Sequence, residues 1–172
     1  MICYLGRVSE PIAARVVTVS NRCASGERED VSGALGERVL IAAGYTVTRA
    51  LIPDGAAQVR MALGEAIASG ARLIVTTGGT GVTPTDRTPE GTRGAIDREL
   101  PGLAELLRAE AVKKTPYGAI TRGLVGVTDS TPGRPGALIV NLPGKPAAVE
   151  EGLGVLLPLV AHILDQLAGG DH

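Results

Sequence analysis

Aromatic rings are nearly missing from this chain of 172 residues: they make up 2% of it, with no Phe and no Trp. Its core must therefore be aliphatic and filled out with alanine, and a 44% hydrophobic content at this length suffices to build one. An excess of either charge is also lacking. A formal net charge of −1 argues against binding nucleic acid through bulk electrostatics. Cysteine is scarce, with Cys3 and Cys23 alone and too far apart for a CxxC motif. Together with His162 and His172 they make no credible zinc site, and two reduced thiols are expected. No uninterrupted apolar run approaches the roughly 20 residues of a membrane span, and the opening "MICYLGRVSEP" lacks the charged start and long apolar stretch of a signal peptide. The expectation is a soluble, cytoplasmic protein with neither nucleic acid nor membrane as partner.

What is present alternates. "RVVTV" (15–19) reads as a β-branched strand, followed by a polar, glycine-punctuated segment "SNRCASGEREDVSG" that reads as a long loop. Leu35, Val39, Leu40 and Ala43 recur at helical spacing before Gly44. "YTVTRAL" (45–51) alternates as a strand does, and Asp54 stands as a candidate N-cap for a helix carrying Val59, Leu63 and Ile67. "RLIVT" (72–76) is the continuous apolar run of a strand buried on both faces. Beyond it, Thr88 with Pro89 can cap and open a helix, and Pro101 and Pro146 can each open another, the last one containing Pro158, which is expected to kink it. Residues 124–127 and 137–142 supply two more strands. Strand and helix in alternation predict an α/β domain with a largely parallel sheet covered on both faces. With no repeat or linker, residues 15–170 form one domain behind an extension of residues 1–14.

The stretch with chemistry in it is "TTGGTG" (76–81), which leaves the carboxyl end of a strand, where ligands bind in parallel sheets. Glycines let successive backbone N–H groups turn toward one point and approach an anion closely, while the hydroxyls of Thr76, Thr77 and Thr80 add donors. The alternative is a tight turn with no ligand. Neither the P-loop nor the GxGxxG pattern is present. Asp86 follows in the same loop, and Asp54 closes the preceding strand on the same edge. Two carboxylates beside a phosphate cradle repel it unless a cation stands between them, and Mg²⁺ suits that place. On the other reading, Asp54 is an N-cap and Asp86 a solvated acid. Pro143, Gly144 and Lys145 form a second candidate anion contact at a helix start. Arg122 is a third.

In combination these motifs are familiar. "TTGGTG", the acid five residues on, "TPEGT", "LIPDG", "SGEREDVSG", "AITRGLVGV" and "NLPGKP" together resemble the MogA/MoaB family of molybdenum-cofactor biosynthesis proteins, to which gephyrin-type G domains also belong. The resemblance spans about residues 15–167. It implies a three-layer α/β molybdopterin-binding fold and a transfer of AMP from ATP to the terminal phosphate of molybdopterin, releasing pyrophosphate with Mg²⁺ required. A module that binds molybdopterin without turnover is the alternative. The resemblance implies that Asp54 and Asp86 are the two essential acids that hold the metal. Substrate contacts are implied for Ser20, Thr76, Thr77, Gly78, Gly79, Thr80, Gly81, Arg122, Pro143, Gly144 and Lys145. It further implies a homo-oligomer, a trimer or a hexamer. Many members read Ser-Asp where this chain has Ser20-Asn21, and some carry arginines where it has Val82–Thr85.

Overall fold

The structure is a computed structural model that describes residues 11–170. Cys3, His172 and most of the expected 1–14 extension lie outside the described residues. Six strands form one sheet: β1 (Ala13–Val19), β2 (Thr46–Ile52), β3 (Leu73–Thr77), β4 (Arg98–Glu99), β5 (Val125–Val127) and β6 (Leu138–Leu142). They lie in the order β2-β1-β3-β6-β5-β4. The β2-β1, β1-β3 and β3-β6 pairs are parallel, whereas β5 pairs antiparallel with both β6 and β4. The helices are α1 (Asn21–Ala24), α2 (Val31–Ala42), α3 (Ala56–Ala68), α4 (Thr88–Arg93), α5 (Pro101–Lys114) and α6 (Pro146–Leu167), with a 3₁₀ helix at Pro116–Ile120.

Neighbouring residues of the central strands serve opposite cores. Val16, Leu73, Val75, Leu138 and Val140 pack against Leu40 of α2, Ala104 of α5 and Val149, Leu153, Leu156 and Val160 of α6. Val17, Val19, Ile74 and Ile139 pack against Val59, Ala62, Leu63 and Ala66 of α3. That two-residue period explains the continuous apolar runs: a strand buried on both faces has no polar side to show. By length and a mean hydropathy of 1.6, α6 could cross a membrane, although polar residues interrupt its apolar run. Its apolar stripe is instead spent on the sheet. The helix continues through Pro158 to Leu167.

The topology makes the site. From β1 the chain steps out to β2, then returns past β1 to β3. Crossovers of one hand travelling in opposite directions put α2 and α3 on opposite faces, so a crevice opens between the carboxyl ends of β1 and β3.

Three local expectations need correction. The segment after β1 is not one long loop: Ser20 caps the single turn α1, accepting from the Cys23 amide at 3.3 Å, and Asp30 caps α2, accepting from the Gly33 amide at 2.8 Å. Asp54 is not an N-cap, since Gly55 occupies that position of α3 and no side chain caps it. Thr88 does not cap α4 either; it is the first residue of that helix, and its hydroxyl is used elsewhere.

Candidate functional site

The glycine loop is anchored by its carbonyls. Gly78 and Gly79 take positive φ of 98° and 63°, conformations that side chains resist. A Cβ on Gly78 would run into the carbonyl oxygen of Val19 on the adjacent strand end. The Gly78 carbonyl accepts from the Thr88 hydroxyl at 2.9 Å, and the Gly79 carbonyl from the Thr88 amide at 3.0 Å. The Thr80 carbonyl accepts from the Arg122 amide at 2.8 Å and the Gly81 carbonyl from Arg122 Nε at 2.7 Å. Gly78 N–H donates to the Leu142 carbonyl at 3.0 Å. Among the described residues the N–H groups of Gly79, Thr80 and Gly81 meet no acceptor, and all three residues line a cavity of about 720 Å³. Turning every carbonyl inward presents three consecutive amides outward, which is the requirement for an anion nest.

Arg122 was expected to contact an anion and does something else. It does not line the cavity. Besides Gly81, its guanidinium donates to the Asp86 carbonyl at 2.7 Å and pairs with the Glu90 carboxylate of α4. That hydrogen bond holds the Glu90 carboxyl below its ordinary value. Each nitrogen of the guanidinium is engaged by the loop or by Glu90 of α4, so Arg122 shapes the nest and is not part of its lining.

Of the three threonines expected to donate, Thr76 lies outside the site. It is fully buried, and its hydroxyl accepts from Asn141 Nδ2 at 3.0 Å beneath the sheet edge. The Thr77 hydroxyl lines the cavity but donates to the Pro143 carbonyl at 3.0 Å, joining this strand end to the next. Thr80 Oγ1 accepts from the Thr121 hydroxyl at 3.2 Å and keeps its own proton for a ligand.

Asp54 and Asp86 open onto this one cavity, as do Ser20, Pro143, Gly144 and Lys145. Asp54 is held by Asn21 reciprocally: its Oδ2 accepts from the Asn21 amide at 2.9 Å, and Asn21 Oδ1 accepts from the Asp54 amide at 3.1 Å. Asp86 folds its own loop, Oδ2 accepting from the Thr83 amide at 2.9 Å and the Thr83 hydroxyl at 2.7 Å. Among the described residues, each acid therefore keeps Oδ1 free of hydrogen-bond partners. Two hard oxygens opening onto one cavity, with phosphate oxygens and water completing the shell, suit a Mg²⁺ ion. No group of three or more metal-ligating side chains occurs among the described residues, so any ion held here relies on its substrate for ligands.

Sequence reasoning passed over Asp30, Arg22, Arg28 and Tyr117, all of which line the cavity. Asp30 is spoken for: its Oδ2 accepts from Thr18 Oγ1 at 2.9 Å and from Arg49 at 3.0 Å. Capping residues ahead of α2 were its signal. In all, five carboxylates (Glu29, Asp30, Asp54, Asp86 and Glu151) face three cations (Arg22, Arg28 and Lys145) around the cavity. That balance opposes an anionic ligand unless a divalent cation enters with it.

Residues 15–162 match the family described as a probable molybdopterin binding domain. The chain belongs to that family. Among its relatives, a molybdopterin adenylyltransferase of Pyrococcus furiosus is 40% identical over 151 residues, covering 87% of each chain. A molybdenum cofactor biosynthesis bifunctional protein of Synechococcus elongatus is 36% identical over 94% of this chain, which spans 49% of that longer relative. The solved structure of a molybdopterin biosynthesis enzyme, MoaB of Thermus thermophilus, superposes with a TM-score of 0.82 at 39% identity, over 92% of this chain and 97% of that one.

Proposed function

We propose that this protein transfers AMP from ATP to the terminal phosphate of molybdopterin, releasing pyrophosphate. Molybdopterin adenylyltransferase is the name carried by relatives that match it along most of their length. The observation that carries the reading is the outward-facing amide row of Gly79, Thr80 and Gly81 beside two carboxylates with free oxygens. A binding site for a pterin alone has no need of those acids.

In the reaction an oxygen of the pterin's phosphate monoester forms a bond to the α-phosphorus of ATP. The bond from that phosphorus to the bridging oxygen breaks, and its electron pair leaves with pyrophosphate. The monoester is largely dianionic near neutral pH, so no side chain has to remove a proton. The protein's task is to hold two anions in line. Amides of the glycine loop and the Thr80 hydroxyl grip phosphate oxygens with donors fixed in advance by Thr88 and Arg122. Asp54 and Asp86 would hold Mg²⁺ through their Oδ1 atoms. A bound Mg²⁺ neutralises charge on the nucleotide phosphates and polarises the α-phosphorus. Thr77 and Ser32 tie the Pro143–Gly144 turn to the end of β3 and the start of α2, their hydroxyls donating to Pro143 O at 3.0 Å and Gly144 O at 2.6 Å. The N-terminus of α6 is thereby kept at the same wall.

The test is pyrophosphate release from ATP and Mg²⁺ with and without molybdopterin. Release that depends on the pterin is expected; tight pterin binding without release would make the protein a carrier. Asp86→Asn is expected to keep pterin affinity and lose about 100-fold or more in turnover, and unchanged turnover would remove the metal assignment. A homo-oligomer, trimer or hexamer, goes with this reading, and light scattering in solution checks it.

A further inference from the structure

The cavity's three cations stand on two flanks of the glycine loop. Arg22 and Arg28 belong to the segment after β1, on the β2 side; Lys145 follows β6 on the other. The two arginines come from one knot of backbone, where the Arg28 amide donates to the Arg22 carbonyl at 3.1 Å. The Asn21–Asp54 pair fastens that knot beside the first of the two candidate metal-holding acids. Both arginines are exposed, and neither guanidinium has a hydrogen-bond or ion-pair partner among the described residues. Nearby carboxylates are engaged elsewhere: Glu27 accepts from the Ser25 hydroxyl at 2.9 Å and Asp30 pairs with Arg49. Glu29, whose carbonyl meets Cys23 Sγ, adds the one uncommitted acid of this segment to the cavity wall.

We propose that Arg22 and Arg28 form the polyphosphate subsite of this cavity, binding the β- and γ-phosphates of the nucleoside triphosphate and then the departing pyrophosphate. The inference rests on the adenylyl-transfer reading and adds which flank takes which substrate. A triphosphate carries more charge than a phosphate monoester, and the flank with two free guanidiniums beside Asp54 matches it. Lys145 and the start of α6 suffice for the monoester. When the α-phosphorus bond breaks, one further negative charge appears on the departing β-phosphate, and planar guanidiniums accept it bidentately.

The experiment uses the full chain with Arg22→Ala/Arg28→Ala and Arg22→Lys/Arg28→Lys double variants. Calorimetry with Mg²⁺-pyrophosphate gives the subsite affinity, and steady-state turnover gives KM for ATP and for molybdopterin. The alanine pair is expected to weaken pyrophosphate binding and raise KM for ATP about tenfold or more, with KM for molybdopterin changed less than about twofold and an unaltered melting curve. The lysine pair recovers part of the loss. Unchanged pyrophosphate affinity and unchanged KM for ATP would overturn the subsite, as would an equal rise in both KM values. Wild-type protein that binds pyrophosphate through these arginines yet never adenylylates molybdopterin would keep the subsite and sink the reaction.

Discussion

Two loops leave neighbouring parallel strands at one edge of the sheet and are built on opposite principles. After β3, the carbonyls of Gly78 through Gly81 are all engaged, Thr88 and Arg122 brace them, and the loop touches Val19 as closely as a glycine allows. After β1, the segment from Ser20 to Asp30 is held by its own short turns, by the Asn21–Asp54 pair and by the Asp30 contacts, while Arg22 and Arg28 extend freely. The difference follows from the donors each one carries. A backbone amide cannot reach; it is useful only where the scaffold has already placed it. A guanidinium on a flexible stem can find its phosphate from a base that does not itself point at it.

The sharpest way to break this contrast is Gly78→Ala. A left-handed φ and a Cβ driven into Val19 O together predict a loss of about 3 kcal/mol or more. For a chain of this size that lowers Tm by roughly 6–12 °C. A variant melting within about 2 °C of wild type would show that the loop is free to move, and the account of a pre-set nest would fall with it.

Next in size is Arg122→Ala. Removing a guanidinium that serves two carbonyls and a carboxylate is expected to cost about 2 kcal/mol. It should also speed hydrogen exchange at the Gly78 and Thr88 amides, which bond the loop to its surroundings, while leaving the Ser20–Asp30 segment unchanged. Arg122→Lys should not restore the loop, because one ammonium cannot span three acceptors. Uniform acceleration over the domain would make Arg122 an ordinary stabilising residue.

How much of this can be read from residues divides along the same line. β1, β3, β6 and α6 are legible because burial on both faces leaves runs such as "RLIVT" and "ALIVNL" with nothing polar in them. The glycine loop is legible because few other needs explain three glycines among threonines. Partners across the fold are not legible. Thr76 and Thr77 are identical in sequence, yet one faces Asn141 in the interior and the other faces Pro143 at the cavity; a two-residue period puts them on opposite sides, and only the register decides which side is wet. Arg122 reads as an anion contact until its fork is seen to be filled. The β4 strand, two residues long and antiparallel at the sheet edge, has no periodicity to detect. Arg22 and Arg28 look like solvated charge until topology brings them to a cavity shared with Asp54.

A milder probe is Gly26→Ala in the segment after β1. Gly26 also has a positive φ, 80°, but nothing lies within 4 Å of its Cβ position. Backbone strain is then the whole cost, about 1 kcal/mol, read from the denaturant midpoint. Set against Gly78→Ala, it separates conformation from close approach: equal losses at the two sites would mean that the contact with Val19 contributes nothing.

The smallest effect is one of pH, and it belongs to the braced loop alone. The Arg122 hydrogen bond holds the Glu90 carboxyl below its ordinary value, so the folded protein binds that proton less readily than the unfolded chain. The contribution is therefore complete above about pH 5 and disappears as pH falls through the depressed value. Side chains that remain about a third exposed, 35% for Arg122 and 33% for Glu90, are screened by solvent, which keeps the effect small. Hydrogen exchange at the Gly78 and Thr88 amides, corrected for intrinsic rates, should rise faster in wild type as pH falls through the depressed Glu90 value than in Glu90→Gln, where no carboxylate remains to titrate. If both proteins follow one curve, Arg122 holds the loop through the carbonyls of Gly81 and Asp86 without help from its ion pair.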